Sequence, residues 1–162
     1  MKNIGLIGLG KMGISHLAIA NSTPGLNVVA VCDNSKLLMK VFEKNMQFNC
    51  YSDYKKMIKS EDLDAVLILV PNSLHFEIAC YCLNSGLNVF VEKPLTLSSD
   101  ESEKLVFLAQ KFNLKGQVGY VNRFNPLFSK VKKLLDDKVI GSVKTYYNSM
   151  IGGVILKDNQ GW

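Results

Sequence analysis

Arginine is almost missing from this sequence, and its scarcity bears on the partners that the protein can have. Arg123 is the single arginine, against 18 lysines, and the 162 residues carry a formal net charge of +5. Proteins that read nucleic-acid sequence depend on arginine for bidentate contacts with guanine and phosphate, so one arginine supplies little of that chemistry. Because the lysines are scattered along the chain, we interpret them as a solvated surface and expect no nucleic-acid partner.

Long apolar runs and metal-spaced cysteines are also missing. The longest purely apolar run, Ala65–Val70, is far shorter than the roughly 20 residues that a membrane-spanning helix needs. The apolar N-terminus is interrupted by glycines and by Lys11 and has no small-residue cleavage site, which argues against a secretion signal. The four cysteines lack zinc-ligand spacing and fit free thiols in a reducing compartment. We therefore expect a cytoplasmic protein with no membrane segment and no metal.

What the chain does contain is a regular alternation of short β-rich runs with helix-like stretches. The runs are bounded by Gly, Asn, Asp or Pro, and several are apolar on both faces, as in strands buried in a parallel sheet. Helix signals lie between or after them: a capping box at Ser98–Glu101, a cap with proline at Asn125–Pro126, and a stop at Gly86. The pattern predicts an α/β fold with a doubly wound, mostly parallel sheet. The predicted strands are Ile4–Ile7, Val28–Cys32, Asn49–Tyr51 (a weaker candidate), Ala65–Val70, Val89–Val91 and Gln117–Val121.

The alternation breaks down near residue 123. Ser142–Met150 reads as a strand that is too long and too polar for the core of a parallel sheet. A terminal strand without a partner leaves its hydrogen bonds unmet. We therefore predict a first domain over residues 1–122 and the beginning of a second domain over residues 123–162, with the bulk of the second domain absent from the sequence.

The turn after the first predicted strand carries the pattern G-x-G-x-x-G. Gly8 permits the tight turn, Gly10 lets the backbone approach a pyrophosphate, and Gly13 lets the following helix pack against the strand. The unpaired N–H groups and the positive dipole end of that helix then face the phosphates. We expect Met12 to pack its side chain while its N–H faces a phosphate. The predicted dinucleotide-binding residues of this turn are Gly8, Leu9, Gly10, Lys11, Met12 and Gly13.

Asp33 completes the pattern, because it follows the second predicted strand and lies 20 residues after Gly13. A carboxylate at this place accepts hydrogen bonds from the adenosine ribose hydroxyls and repels a 2′-phosphate, which favours NAD over NADP. Lys36 acts in the opposite direction, because a cation just past the strand could receive that phosphate. The sequence thus leaves NAD and NADP open. A methyltransferase, whose related turn also precedes an acidic residue, is the competing class of protein.

Three further motifs follow predicted strands, and with the glycine turn they match a known family in order and spacing. They are Val70-Pro71-Asn72-Ser73-Leu74-His75, Glu92-Lys93-Pro94, and Gly119-Tyr120-Val121-Asn122-Arg123-Phe124-Asn125-Pro126. Over residues 3–150 the chain resembles the N-terminal half of the Gfo/Idh/MocA oxidoreductases, and Glu-Lys-Pro is the most specific motif. The resemblance implies a Rossmann domain, followed by an α+β domain that supplies substrate contacts and an oligomer interface. It also implies NAD(P)-dependent oxidation or reduction of a sugar, cyclitol or related polyol.

The resemblance implies roles for particular residues. Lys93 matches a catalytic lysine that lies beside the nicotinamide ribose and the substrate hydroxyl. The family's Asp-x-x-x-His pair is absent, since Asp158 is followed four positions later by Trp162, so we expect the chain to end before that motif and to be inactive alone. Common members carry Arg-Arg-Tyr/Phe-Asp at positions 122–125, so the charge preferred in the substrate is open. The expected cofactor-binding positions beyond the glycine turn and Asp33 are Val70, Pro71, Asn72, His75, Glu92, Lys93, Asn122 and Arg123.

Physical reasoning from the residues points to the same positions, because open α/β sheets bind ligands outside the carboxyl ends of their strands. We hypothesise that Lys93, partly desolvated there, hydrogen-bonds the reacting oxygen and stabilises its developing charge. A cis bond at Pro94 would aim that lysine inward. His75 either contacts the cofactor or caps and packs, and His16 is expected to be structural. Arg123 serves either an anionic or polyhydroxyl substrate or an inter-domain salt bridge. A non-catalytic dinucleotide sensor remains the alternative to an enzyme.

Overall fold

Six parallel strands form one sheet in the computed structural model of the protein, which describes residues 1–149 apart from the side chain of Asn45. The strands are β1 (Lys2–Ile7), β2 (Leu26–Cys32), β3 (Asn49–Tyr51), β4 (Ala65–Ile68), β5 (Asn88–Val91) and β6 (Gly116–Val118). Their spatial order is β3-β2-β1-β4-β5-β6, and every neighbouring pair is parallel. The chain therefore winds outward from β1 in both directions, which is the order of a doubly wound dinucleotide-binding sheet. The predicted fold class is confirmed.

The helices that precede residue 112 cover both faces of this sheet. The α-helices of the described residues are α1 (Lys11–Ser22), α2 (Lys36–Asn45), α3 (Tyr54–Ser60), α4 (His75–Asn84), α5 (Ser99–Lys111) and α6 (Pro126–Asp136). One hydrophobic cluster includes Leu17 of α1 and Phe42 of α2, and the other includes Met57, Ile78 and Leu105 of α3, α4 and α5. Burial on both faces explains why the central strands are apolar at consecutive positions rather than at alternate ones.

The helix signals in the sequence correspond to observed helix ends. The Ser98 hydroxyl accepts a hydrogen bond from the Glu101 N–H at the start of α5, at 3.3 Å. At the start of α6 the Asn125 side-chain oxygen accepts one from Leu127, and a proline occupies the first helical position. Helix α4 ends before Gly86, whose φ of +80° is readily adopted by a residue without a Cβ.

Two strands end earlier than predicted. Strand β4 stops at Ile68 rather than Val70, because Val70 precedes a proline that has no N–H and its own carbonyl contacts the ring of His75. Strand β6 stops at Val118, and Val121–Phe124 forms a short 3-10 helix instead of continuing the strand. In both cases the chain leaves the sheet just where the candidate site residues begin.

The prediction of a strand over Ser142–Met150 is wrong for its described part. Residues 142–149 form no strand, and Met150 lies outside the described residues. A strand needs a hydrogen-bonding neighbour, and all strand pairs in the described part of the chain belong to the sheet of β1–β6. The chain divides into one compact unit at Met1–Gly119 and a second that begins at Tyr120, three residues before the predicted boundary. That the second unit begins a substrate domain stays a prediction.

The cysteines of the sheet and its helices are free thiols. All four are unpaired with one another, and Cys32 and Cys82 are buried. Within residues 1–149 no three His, Cys, Asp or Glu side chains are grouped to hold a metal ion. In the same range, no helix has the length and apolar character needed to cross a membrane.

Burial should make Cys32 and Cys82 unreactive in the folded protein. Desolvation raises the pKa of each thiol to about 12, with Asp33 adding to the effect at Cys32. At pH 8 only about one thiol in 10,000 would then be the reactive thiolate. We expect iodoacetamide at pH 8 to label the half-buried Cys50 and Cys80 first, and the other two only after unfolding, as measured by peptide mass spectrometry. Rapid labelling of all four cysteines in the native protein would contradict this expectation.

Candidate functional site

Four of the predicted site segments meet at one edge of the sheet. Residues 8–13 follow β1, Asp33 follows β2, residues 70–72 follow β4, and Glu92 with Lys93 follows β5. These four strands are adjacent and parallel, so their carboxyl ends lie side by side. The edge is also the place where the winding direction of the sheet reverses, which is the expected position of a ligand crevice.

The three glycines of the first turn meet different surroundings. Gly8 has a φ of +96°, and a Cβ there would lie 2.6 Å from the carbonyl oxygen of Leu69. A Cβ on Gly13 would lie 2.0 Å from the carbonyl oxygen of Gly8. At Gly10 no described atom other than those of the adjoining residues in the chain comes within 4 Å of the Cβ position. Gly8 and Gly13 are therefore required by the backbone itself, whereas Gly10 borders open space.

That open space adjoins the N-terminus of α1. Gly10 is the N-cap residue, and it has no side chain to accept the N–H groups of the first helical turn. Leu9 is buried, whereas the side chains of Lys11 and Met12 are exposed. The expectation that Met12 packs its side chain is therefore wrong, because the first turn of α1 projects it away from the core. A helix N-terminus with bare amides and adjoining space suits a phosphate.

Asp33 holds this turn in place. Its Oδ2 accepts a hydrogen bond from the N–H of Leu9 at 2.7 Å, and its Oδ1 accepts one from the N–H of Ser35 at 2.8 Å. Ser35 is the N-cap of α2, and Lys36, which is exposed, begins that helix. A carboxylate has about four lone-pair sites, so both oxygens can still accept a further donor such as a ribose hydroxyl.

His75 joins two of the segments at the edge. Its ring is fully buried, with Nδ1 2.8 Å from the carbonyl oxygen of Pro94 and Nε2 2.9 Å from that of Val70. Both ring nitrogens thus face the backbone, and neither is presented to a ligand. Of the two roles considered for His75, the structure supports packing and support of the loops over direct contact with a cofactor.

Glu92 and Lys93 form the turn after β5. The Glu92 carboxylate accepts the N–H of Lys93 through Oε2 at 2.8 Å, and its Oε1 lies 3.1 Å from Nε2 of His16. The peptide bond between Lys93 and Pro94 is cis, as predicted. Lys93 itself is exposed, in contrast to the expected partial burial, because it lies beyond the end of β5 at the open edge.

Comparison with known proteins identifies the family of this chain. Residues 2–120 match the Gfo/Idh/MocA family, described as an oxidoreductase family with an NAD-binding Rossmann fold. The chain belongs to this family. The match confirms the predicted resemblance and the NAD-binding Rossmann domain, and it excludes the methyltransferase alternative.

Individual relatives include several inositol dehydrogenases. Inositol 2-dehydrogenase of Salmonella typhimurium is 30% identical over 141 residues, which are 85% of this chain and 42% of that protein. The scyllo-inositol 2-dehydrogenase (NAD(+)) of Bacillus subtilis is 31% identical over 84% of this chain and 40% of its own length. The crystal structure of Lactobacillus casei scyllo-inositol dehydrogenase with NAD(H) and scyllo-inositol superposes with a TM-score of 0.79, at 29% identity. It covers 87% of this chain and 42% of that one. The chain therefore spans about two fifths of the length of these relatives.

The remaining predicted site residues of this Gfo/Idh/MocA chain lie in the second unit. Asn122 and Arg123 belong to the 3-10 helix that precedes α6. Within that unit both line an open cavity of about 830 Å³, together with Lys132 and Lys133 of α6. Their expected approach to the nicotinamide stays a prediction.

Sequence reasoning missed the partner of His16. The structural role predicted for this residue agrees with its half-buried position, but the contact with Glu92 joins residues 76 positions apart. No local pattern in the sequence predicts a contact between residues so far apart in the chain. The available signal was indirect: His16 follows the last glycine of the turn by three positions, one turn along the same helix.

Alanine substitutions at Gly13 and Gly10 should distinguish a glycine that backbone packing requires from one that only a ligand would require. At position 13 the new Cβ would collide with a backbone oxygen, so Gly13→Ala should lose about 3 kcal/mol of unfolding free energy. At position 10 the φ of −65° suits alanine, so Gly10→Ala should stay within about 1 kcal/mol of the wild type. Urea unfolding followed by circular dichroism measures both. Equal losses in the two variants would show that the turn is packed differently from this structure.

Proposed function

We propose that this chain is the cofactor-binding part of an NAD-dependent oxidoreductase that acts on a hydroxyl or keto group of a sugar, cyclitol or related polyol. The observation that carries the proposal is the turn at Gly10, where the N-terminus of α1 begins and the Cβ position meets no described atom within 4 Å beyond the adjoining residues. Family membership supports the cofactor and reaction class, and the inositol dehydrogenases among the relatives support the class of substrate.

The residues present fit a dinucleotide. The amides of Lys11 and Met12 would receive the diphosphate at the N-terminus of α1, where the helix dipole favours negative charge. Asp33 would accept a ribose hydroxyl beside the diphosphate, because its carboxylate is already fixed by Leu9 and Ser35.

Lys93 is the residue that we assign to the reaction. When bound, NAD supplies the hydride acceptor or donor at its nicotinamide ring. The Lys93 ammonium would donate a hydrogen bond to the reacting substrate oxygen and stabilise negative charge that develops there. Its place beyond the end of β5 and its exposure leave the ammonium accessible to a substrate. Because the sequence holds no Asp-x-x-x-His pair, we propose that residues 1–162 bind the cofactor without turnover by themselves.

Titration with NADH tests the binding proposal directly. We expect saturable binding to the wild-type chain, followed by the fluorescence of the reduced nicotinamide. Gly10→Ala should weaken binding at least about 10-fold, equivalent to about 1.4 kcal/mol, because its methyl group would occupy the space next to the diphosphate. Gly116→Ala is the matched control. Gly116 is the first residue of β6, at the end of the strand away from the carboxyl edge of the sheet, and a Cβ there would lie 4.0 Å from its nearest neighbour.

Absence of saturable NADH binding to the wild-type chain up to millimolar concentration would reject the proposal. Binding that Gly10→Ala and Gly116→Ala weaken equally would place the dinucleotide elsewhere. Binding without any polyol turnover in the product of the complete reading frame would favour the sensor alternative over the enzyme.

The preference for NAD should depend on the charge of Asp33. Asp33→Asn keeps one oxygen that can accept the N–H of Leu9, loses the acceptor of the Ser35 N–H, and removes the charge that repels a 2′-phosphate. We expect the ratio of NADPH to NADH dissociation constants to fall about 10-fold in this variant. Paired titrations with the two reduced cofactors measure the ratio, and Lys36→Met is the counterpart variant that removes the neighbouring cation. An unchanged ratio in Asp33→Asn, with a raised ratio in Lys36→Met, would assign the selectivity to Lys36.

A further inference from the structure

The carboxylate of Glu92 is enclosed by groups from three parts of the chain. Its Oε1 lies 3.1 Å from Nε2 of His16, and its Oε2 accepts the N–H of Lys93 at 2.8 Å. A Cβ on Gly119 would lie 3.2 Å from the Cδ and from both oxygens. The absence of a side chain at position 119 therefore leaves the room in which this carboxylate sits.

Both members of the histidine–glutamate pair are mostly withdrawn from water. The side chains of His16 and Glu92 are 18% and 12% exposed. The His16 ring also packs against Phe90, with ring centroids 5.1 Å apart. A carboxylate in such surroundings needs hydrogen-bond donors to offset its lost hydration. The Lys93 amide donates to this carboxylate, and His16 donates to it as well when its Nε2 carries the ring proton.

The histidine–glutamate pair connects two segments of the candidate site. His16 is on α1, the helix whose first turn faces the open space at Gly10. Glu92 immediately follows β5, and the same carboxylate holds the backbone N–H of the next residue, Lys93. The contact thus joins the helix assigned to the diphosphate with the turn that presents the lysine.

We propose that His16 is a positioning residue that acts through Glu92 to fix the backbone of Lys93 relative to α1. The proposal rests on the function proposed above for Lys93, and it adds His16, for which only a structural role was expected. His16 donates from Nε2 to one carboxylate oxygen, which orients the other oxygen toward the Lys93 amide. Without that donor one carboxylate oxygen loses its partner, so the Glu92 side chain is no longer held in the orientation that accepts the Lys93 amide.

Two substitutions at position 16 separate the hydrogen bond from the packing. His16→Phe keeps an aromatic ring beside Phe90 but has no donor for Glu92. His16→Gln gives up the ring but has a side-chain N–H₂ that can donate to the carboxylate. Ser15→Ala, on the exposed surface of the same helix, is the matched control. Gly119→Ala is an independent variant, because its new methyl group displaces the carboxylate without altering His16.

The measurement is hydrogen exchange of the Lys93 amide in the ¹⁵N-labelled chain, followed by NMR without cofactor. We expect exchange to accelerate at least 10-fold in His16→Phe and in Gly119→Ala, and to stay within about threefold of wild type in His16→Gln and Ser15→Ala. Unchanged exchange in His16→Phe would overturn the proposal, as would a loss that His16→Gln does not recover. If His16→Phe fails to fold, His16→Leu, which also lacks a donor for Glu92, takes its place in the same comparison with His16→Gln.

A parallel NADH titration of the same samples keeps the two proposals distinct. The exchange rate of the Lys93 amide is measured without cofactor, so it reports on the hydrogen bond of that amide to Glu92 and does not depend on NADH binding. Failure of the wild-type chain to bind NADH would reject the proposed function. Normal NADH binding with an insensitive Lys93 amide would reject only the role of His16.

Discussion

The candidate site depends on the close contact between backbone atoms in the glycine turn that joins β1 to α1, where Gly8 and Gly13 leave no room for a side chain. The Cβ position of Gly13 lies only 2.0 Å from the carbonyl oxygen of Gly8, and that of Gly8 lies 2.6 Å from the carbonyl oxygen of Leu69. These contacts let α1 begin directly after β1, at the carboxyl ends of the strands. This is also the place where the winding direction of the sheet reverses. Any side chain at either position would push the helix N-terminus away from the crevice.

Polar side chains then hold the neighbouring loops against this turn. Asp33 accepts N–H groups from Leu9 and Ser35, which joins the ends of β1 and β2. His75 contacts the carbonyls of Val70 and Pro94, which joins the ends of β4 and β5. Asp33 thereby satisfies two backbone N–H groups outside the strand ladder, and the neutral His75 ring can donate to one of the two carbonyls that it contacts. The edge of the sheet is therefore organised by its own residues before any ligand is considered.

The local parts of this arrangement could be predicted from the sequence. Strand apolarity on both faces, the cap at Ser98 and the glycine spacing each reflect interactions between residues close together in the chain. The prediction for Ser142–Met150 was wrong over its described residues because β-propensity does not supply a pairing partner. Lys93 is exposed, whereas partial burial was expected, because the burial of a side chain depends on residues that are distant in the sequence.

The contacts of the two histidines show where such reasoning ends. His16 and Glu92 are 76 positions apart, and His75 meets Pro94 after 19. Their pairing follows from the strand order, which brings the ends of β1, β4 and β5 together. Until that order is known, a histidine three positions after the glycine turn is compatible with packing, capping or ligand contact. The sequence predicts candidate site residues one by one, and the topology shows which of them are neighbours.

A crystal structure of the chain grown with excess NADH tests the central claim most directly. The account predicts the diphosphate within hydrogen-bond distance of the backbone amides at the start of α1, next to Gly10, with a ribose hydroxyl on the carboxylate of Asp33. A dinucleotide bound away from the carboxyl edge of the sheet, or an Asp33 carboxylate directed away from the bound ribose, would contradict it.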